Sequence, residues 1–180
     1  MKLPYVIGLT GLKRSGKDTV ARHLCEHHGF LAFSWADPIK AMLRTMGVPE
    51  DHLTGERKEE LVPGLGVSGR HLMQTLGTEW GRDLISRDLW VFALQHSQAF
   101  QGAMERSPVV IPDCRFANEA QAVRALGGQV WAIVRPGLMS DGHASELGLH
   151  PDEVDRFLCN DSTIENLCQQ ADWNLAGQPV

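Results

Sequence analysis

The sequence predicts an α/β domain built on a five-stranded parallel sheet with helices on both faces. Three observations predict it. Short apolar runs recur along the chain, amphipathic segments with helical spacing separate them, and a glycine-containing stretch joins the first run to the first helical segment. Parallel strands joined by helices cross over in the right-handed sense, which puts helices on both faces of one sheet.

The first run, Leu3 to Leu9, is nearly continuous and apolar, as a strand buried on both faces must be. It feeds the stretch GLTGLKRSGKDT and then a helix, in which Val20, Ala21, Leu24 and Cys25 share one face while Arg22, His23, Glu26 and His27 share the other. Gly29 suits the position just past the helix end. Phe30 to Trp35 reads as a second strand. Asp37-Pro38 then reads as a cap with proline in the first turn of a helix running through Ile39, Met42, Leu43 and Met46. From Pro49 to Gly69 the periodicity fails, charges cluster at Glu56 to Glu60, and a mobile segment is expected.

Two helical stretches follow, about Arg70 to Trp80 and Leu84 to Phe100. Pro108 to Pro112 is a buried strand ending in Asp113, Phe116 to Leu126 is helical, and Gly127-Gly128 breaks that helix before the strand Gln129 to Val134. Val154 to Cys159 makes a weak last strand, and Ile164 to Ala171 a closing helix.

At 180 residues and 43% hydrophobic content the chain is expected to bury one core as one domain. Its net charge of -5 excludes a surface built for polymeric nucleic acid, which needs clustered Lys and Arg, but leaves room for a local basic pocket. Cys25, Cys114, Cys159 and Cys168 form no CxxC pair, and no signal peptide precedes them, so reduced thiols and a cytoplasmic location are expected. No apolar run nears the roughly 20 residues of a membrane span. His23 and His27 stand four apart, as zinc ligands on a helix stand, but no third ligand follows in sequence, and a solvated helix face is the expectation.

Gly11-Leu12-Lys13-Arg14-Ser15-Gly16-Lys17 has the spacing of a phosphate-binding loop and sits between a strand and a helix, as that motif requires. Glycines let backbone N–H groups turn inward around phosphates, the helix N-terminus adds its positive dipole end, and Lys17 reaches the outer oxygens. One departure matters. The residue after the lysine, ordinarily Ser or Thr on magnesium, is Asp18, with the hydroxyl one place later at Thr19. Asp18 has two readings, a contact to magnesium-bound water or acceptor and a stabiliser of the helix start.

Asp113 sits at the carboxyl end of its strand, where ligands of open parallel sheets collect, and reads as a metal or substrate contact. Asp113 to Glu119 (DCRFANE) puts two acids and an arginine at a helix start. A capping box competes with a functional reading there, and Arg115, which a cap does not explain, favours function. Arg135, after the fourth strand, is either a surface residue or a phosphate contact. Trp35, Trp80, Trp131 and Trp173 are assigned to packing.

The loop GLKRSGKDT, with ADPIK (36–40), LMQTLGTEWGRD (72–83), PDCRFANEA (112–120), VRPG (134–137), HASE (143–146) and NDSTIENL (160–167), resembles the bacteriophage deoxynucleoside monophosphate kinases over nearly the whole chain. The resemblance implies a three-layer P-loop nucleoside monophosphate kinase-like fold. It also implies ATP and magnesium as cofactors, a deoxynucleoside monophosphate as substrate, the host cytoplasm for a phage protein, and a homodimer. A helical substrate-binding insertion at about 48–105 and a lid-like loop at about 136–150 that includes HASE are implied too.

The resemblance further implies that Gly11, Lys13, Arg14, Ser15, Gly16, Lys17, Asp18 and Thr19 surround the ATP phosphates, with magnesium at Thr19 and Asp18. Arg135 and, with Asp161, Asn160 would serve the nucleotide. Lys40, Trp90, Asp113, Arg115 and Glu119 would form the monophosphate site, and Arg70, Gln74 and Arg82 would lie in its helical region. Catalysis would fall to Lys17, Arg14, Asp18, Asp113 and Arg115. An acceptor phosphate is a dianion at neutral pH and needs no general base, so the demand is for positive groups between two polyanions. A dephospho-coenzyme A or phosphomevalonate kinase shares this architecture. A guanine-reading switch would carry an Asn-Lys-x-Asp stretch, which the sequence lacks.

Overall fold

A computed structural model describes residues 6–138 and 149–177. The chain divides into two compact units, one of residues 1–34 and 98–180 and one of residues 35–97. The observed second unit starts earlier and ends earlier than the expected insertion at 48–105. HASE and most of the expected lid lie outside the described residues, as do the first residues of the expected opening strand.

The first unit contains β1 (Val6–Thr10), α1 (Lys17–His28), β2 (Leu31–Ala32), α6 (Gln98–Met104), β3 (Val109–Ile111), α7 (Ala117–Ala125), β4 (Gln129–Val134), β5 (Arg156–Cys159) and α8 (Ile164–Leu175). All pairings are parallel and the strand order is β2-β3-β1-β4-β5. Side chains alternate across a strand, and here the two faces have different partners. Ile7 and Leu9 turn to the face where Val20, Leu24, Leu167 and Ala171 of α1 and α8 pack, with Trp131, Ile133 and Leu158 beside them. Gly8 faces the other way, where a Cβ would stand 3.0 Å from Val123 Cγ2 of α7. That missing side chain lets α7 pack close to the central strand.

β4 has the bounds its sequence predicts, and α1 ends at Gly29, whose φ of +69° puts it in the left-handed region. β2 is shorter than Phe30 to Trp35. Only Leu31–Ala32 pairs as strand, at the sheet edge and exposed, although Phe33 N still donates to Val110 O at 2.9 Å. The closing helix runs on to Leu175, past Ala171.

Residues 35–97 form the second unit. It holds α2 (Asp37–Thr45), α3 (Glu50–Leu53), a 3-10 turn at Glu56–Glu59, α4 (Gly69–Gln74), a π-helical stretch Thr75–Ile85 and α5 (Leu89–Gln95). Ile39, Leu43, Val48, Leu53, Val62 and Trp90 make its core. Pro49 to Gly69 is therefore anchored by buried Leu53 and Val62 and is not without structure. Asp37 is not the cap of α2. The cap position is Ala36 with no side-chain hydrogen bond, and the Asp37 carboxylate instead takes Lys40 Nζ at 3.0 Å.

The expected break near residues 81–83 falls inside the π-helical stretch, and the chain breaks at Ser86–Asp88 and again after Gln95. Ser86 N closes the π stretch on Gly81 O, five residues back, at 2.9 Å. Trp35 and Trp131 are buried as expected, whereas Trp80 and Trp173 are 38% and 37% exposed. Among the described residues no helix is long and apolar enough to cross a membrane. None of the four cysteines is in a disulfide.

Candidate nucleotide site

The residues between β1 and α1 form a tight loop that only glycine permits at its two ends. Gly11 has φ +137° and a Cβ there would stand 2.4 Å from Ile133 O, while Gly16 has φ +114° and a Cβ there would stand 2.8 Å from Asn160 Nδ2. Arg14, at φ +66°, is a non-glycine residue in the left-handed region among the described residues, a conformation costing about 1 kcal/mol that the surrounding loop must hold. Ser15 N donates to Leu12 O at 3.1 Å, turning the chain, and Val20 N to Gly16 O starts the helical ladder.

Gly16 caps α1 without a side-chain hydrogen bond. The first turn of α1 thus presents backbone N–H groups and the positive end of the helix dipole to whatever lies over the loop. Lys17 Nζ donates to Gly11 O and Leu12 O, both at 2.7 Å, which holds the ammonium across the loop. Two segments from the neighbouring strands pin the loop from behind. Asn160, after β5, donates Nδ2 to Ser15 O at 2.8 Å, and Arg135, after β4, donates Nη1 to Arg14 O at 3.3 Å.

A cavity of about 340 Å³ opens here, lined by Arg14, Gly16, Lys17, Asp18, Thr19, Arg135, Asn160, Ser162 and Ile164. Seven of these were expected from the sequence to serve the nucleotide. Three basic side chains face one acid, which suits a polyanion. Ser15 Oγ is buried beneath the loop without a hydrogen-bond partner, and Lys13 is exposed at the loop's rim. Sequence reasoning missed Ser162 and Ile164. Their signal is in NDSTIENL, where a hydroxyl stands just before the last helix and an exposed aliphatic side chain opens it, next to Asn160 and Asp161.

Asp113 and Arg115 leave β3, the strand beside β1. Ser34 Oγ donates to Asp113 Oδ2 at 2.5 Å, and Cys114 N donates to Leu9 O at 3.1 Å, tying this turn to the central strand. Glu119 is 2% exposed. Its Oε2 accepts Arg115 N at 2.7 Å and Phe116 N at 3.1 Å. The capping role is thus the observed one for Glu119, and this carboxylate sets the backbone from which the exposed Arg115 side chain projects.

Within the second unit, the expected monophosphate contacts differ in kind. Trp90, the expected ligand contact, is a core residue: buried, it donates Nε1 to Gly77 O at 2.7 Å and packs on Gly81. Lys40 pairs with Asp37, Arg70 with Glu59, and Arg82 Nη1 donates to Arg87 O at 3.2 Å. Gln74 ends α4, half-buried.

A family model described as deoxynucleotide monophosphate kinase matches residues 5–66 and 65–171. A protein of Acanthamoeba polyphaga mimivirus, provisionally named as a deoxynucleotide monophosphate kinase, is 34% identical over 179 residues, covering 92% of this chain and 93% of its own. The deoxynucleotide monophosphate kinase of Enterobacteria phage T4 is 38% identical over 103 residues, 56% of this chain and 42% of the phage protein, so the match spans less than half of that relative. Among solved structures, shikimate kinase from Aquifex aeolicus vf5 aligns over 96% of both chains with a TM-score of 0.55 at 15% identity. The APS kinase of Mycobacterium tuberculosis aligns over 99% of this chain and 100% of its own with a TM-score of 0.50 at 14% identity. At such identities the likeness is one of fold, and it agrees with the five-stranded parallel sheet. With a family model covering nearly all of the sequence and a full-length relative above 30% identity, the chain belongs to the deoxynucleotide monophosphate kinase family.

Proposed function

We propose that this chain transfers the terminal phosphoryl group of ATP to a deoxynucleoside 5′-monophosphate, giving the diphosphate and ADP. The observation that carries this reading is the cavity over the loop, where Lys17, Arg14 and Arg135 converge on an uncapped helix N-terminus. Preorganised positive groups of this kind act where charge builds up during transfer, in a site that needs no rearrangement at the moment of reaction. Lys17 would hold the outer phosphate oxygens, Arg14 would cover the transferred group, and Gly11, Gly16, Ser15 and Lys13 would line or rim the phosphate channel. Asn160 and Ile164 would flank the base, and Arg135 would hold the loop as well as the phosphates.

The donors fit magnesium. Thr19 and Asp18 put a hydroxyl and a carboxylate, both hard oxygen donors, in the same cavity as Lys17. Those two residues would hold the ion, which when bound supplies charge neutralisation between the β and γ phosphates. Asp113 and Arg115 are the proposed acceptor contacts of the first unit, with Glu119 fixing the backbone of Arg115. Lys40, Arg70, Gln74 and Arg82 are proposed singly, on the family resemblance.

A coupled ADP-release assay against the four deoxynucleoside monophosphates and their ribose counterparts tests the reading. The expected result is release that depends on a deoxynucleoside monophosphate. Release that ignores these acceptors, or that appears with shikimate or another non-nucleotide alcohol, contradicts it.

A further inference from the structure

Helices α1 and α8 lie side by side on one face of the sheet, and near the C-terminal end of α1 three side chains meet. His23 and His28 come from α1 and Asp172 from α8. Both imidazole Nε2 atoms stand 2.7 Å from the same Asp172 Oδ1. The three donor atoms lie within 4.8 Å of one another. Helical spacing does not produce this grouping. Residues five apart on an α-helix point about 140° away from each other, so only the last position of α1, just before the left-handed Gly29, lets His28 swing to the side His23 occupies. The two rings meet edge-on with centroids 5.5 Å apart, and His23 is mostly buried.

The sequence predicts a solvated helix face for His23 and His27, with no third ligand nearby. In the structure His23 and His28 turn instead to Asp172, 149 and 144 residues away in sequence. His27 sits against His23, ring to ring at 4.8 Å, and is not part of the set.

We propose that His23, His28 and Asp172 form a binding site for one divalent metal ion of the zinc class, clipping the phosphate-loop helix to the last helix. Two imidazole nitrogens and one carboxylate oxygen are a ligand set that zinc takes, with a fourth position left open. His23 and Asp172 line a surface groove together with Glu165, Asn166 and Cys168, which lies one helical turn before Asp172. Each imidazole offers the Nε2 lone pair and carries its ring proton on Nδ1 in the bound state, so binding needs no redox partner. Ligand atoms on one tetrahedral zinc with bonds of about 2.0 Å stand about 3.3 Å apart. From the present 2.7 Å each Nε2–Oδ1 distance must widen while the two Nε2 atoms draw together, an adjustment that the partly exposed His28 side chain can make. His28 lies about 16 Å along the helix axis from Lys17, so this site is separate from the phosphate loop, and its nitrogen ligands set it apart from a magnesium site.

The test uses the full chain, stripped with a chelator, dialysed, and titrated with Zn²⁺ against a chromophoric competitor in the absence of nucleotide. The expected result is one Zn²⁺ per chain at micromolar affinity or better. His28→Gln and Asp172→Asn should each weaken binding at least tenfold, and His27→Gln should leave it within twofold. Zn²⁺ should also raise the melting temperature by several degrees while equimolar Mg²⁺ does not. Co²⁺ in place of zinc should give the visible absorption of a four-coordinate site. His28→Gln, at a helix end, keeps the test available if Asp172→Asn fails to fold. No stoichiometric uptake overturns the proposal, and so does uptake that survives His28→Gln unchanged, which would place the ion on other groups such as the thiols.

Discussion

Asn160 donates its side-chain amide to the carbonyl of Ser15 at 2.8 Å, so a residue after the edge strand β5 holds the middle of the loop after the central strand β1. The same amide nitrogen lies 2.8 Å from where a Cβ on Gly16 would stand. Its own backbone N–H is bound to Val134 O at 2.7 Å, which carries the brace into β4. The loop's shape therefore depends on three strands and not on its glycines alone.

Asn160→Ala should loosen the loop without unfolding the sheet. A lost side-chain to backbone hydrogen bond is worth about 1 kcal/mol, so ATP affinity measured by titration calorimetry should fall roughly fivefold, with a melting point within a few degrees of the parent. Unchanged affinity would show that the brace is incidental.

Glu119→Ala should be among the more damaging single changes outside the apolar core. The buried carboxylate satisfies two backbone N–H groups, and bonds to a charged group contribute about 1.5–3 kcal/mol each. A loss of about 3–6 kcal/mol is expected in urea unfolding, and Glu119→Gln, which keeps an acceptor oxygen, should recover part of it. An Ala variant as stable as the parent would remove the capping role.

Gly81→Ala tests the second unit. A Cβ there would stand 2.3 Å from Trp90 Cζ2 and 2.6 Å from Cε2, with the indole already fixed on Gly77 O. Overpacking of this kind costs about 1–3 kcal/mol. Denaturation should show that loss, and tryptophan fluorescence should report a shifted Trp90. A neutral outcome would mean that the π-helical stretch yields easily.

For Asp172, burial pushes the carboxyl pKa up, but the hydrogen bonds and charge of His23 and His28 outweigh it, and the net shift is downward. A carboxylate with a depressed folded pKa contributes stability above its unfolded value, near 3.9, and loses it as pH falls through the folded one. With chelator present, the parent should therefore exceed Asp172→Asn in stability at pH 7 and pH 5 and lose that advantage progressively as pH falls below about 4. The side chain is 44% exposed, so solvent screening limits the effect to about 1 kcal/mol or less. A difference that stays constant over this range would contradict the sign.

The sheet and the loop were legible because both are local in sequence. Gln129 to Val134 is bounded by glycines and by Arg135-Pro136, and the glycine spacing from Gly11 to Lys17 fixes its own geometry. The π-helical stretch was not legible. Its i→i+5 bonds change the periodicity, so the pattern after Trp80, at Gly81, reads as a break when the chain continues. Roles set by distant partners were also hidden. Nothing near Glu119 says that its carboxylate turns to the backbone, nothing near Trp90 says that Gly77 and Gly81 bury it, and His28 and Asp172 meet only once both helices pack on the sheet. Lys17, Thr19 and Arg135 line one cavity; the loop motif marks the first two in the sequence, while Arg135 alone reads equally as a surface residue.

Transfer of label from γ-³²P-ATP tests the central claim most directly, with the parent chain and Lys17→Ala side by side and each deoxynucleoside monophosphate as acceptor. The account predicts label in a deoxynucleoside diphosphate with the parent. It also predicts a loss of at least about 100-fold in Lys17→Ala, whose circular dichroism should match the parent's. Label that appears only as inorganic phosphate, or transfer that survives Lys17→Ala, would contradict it.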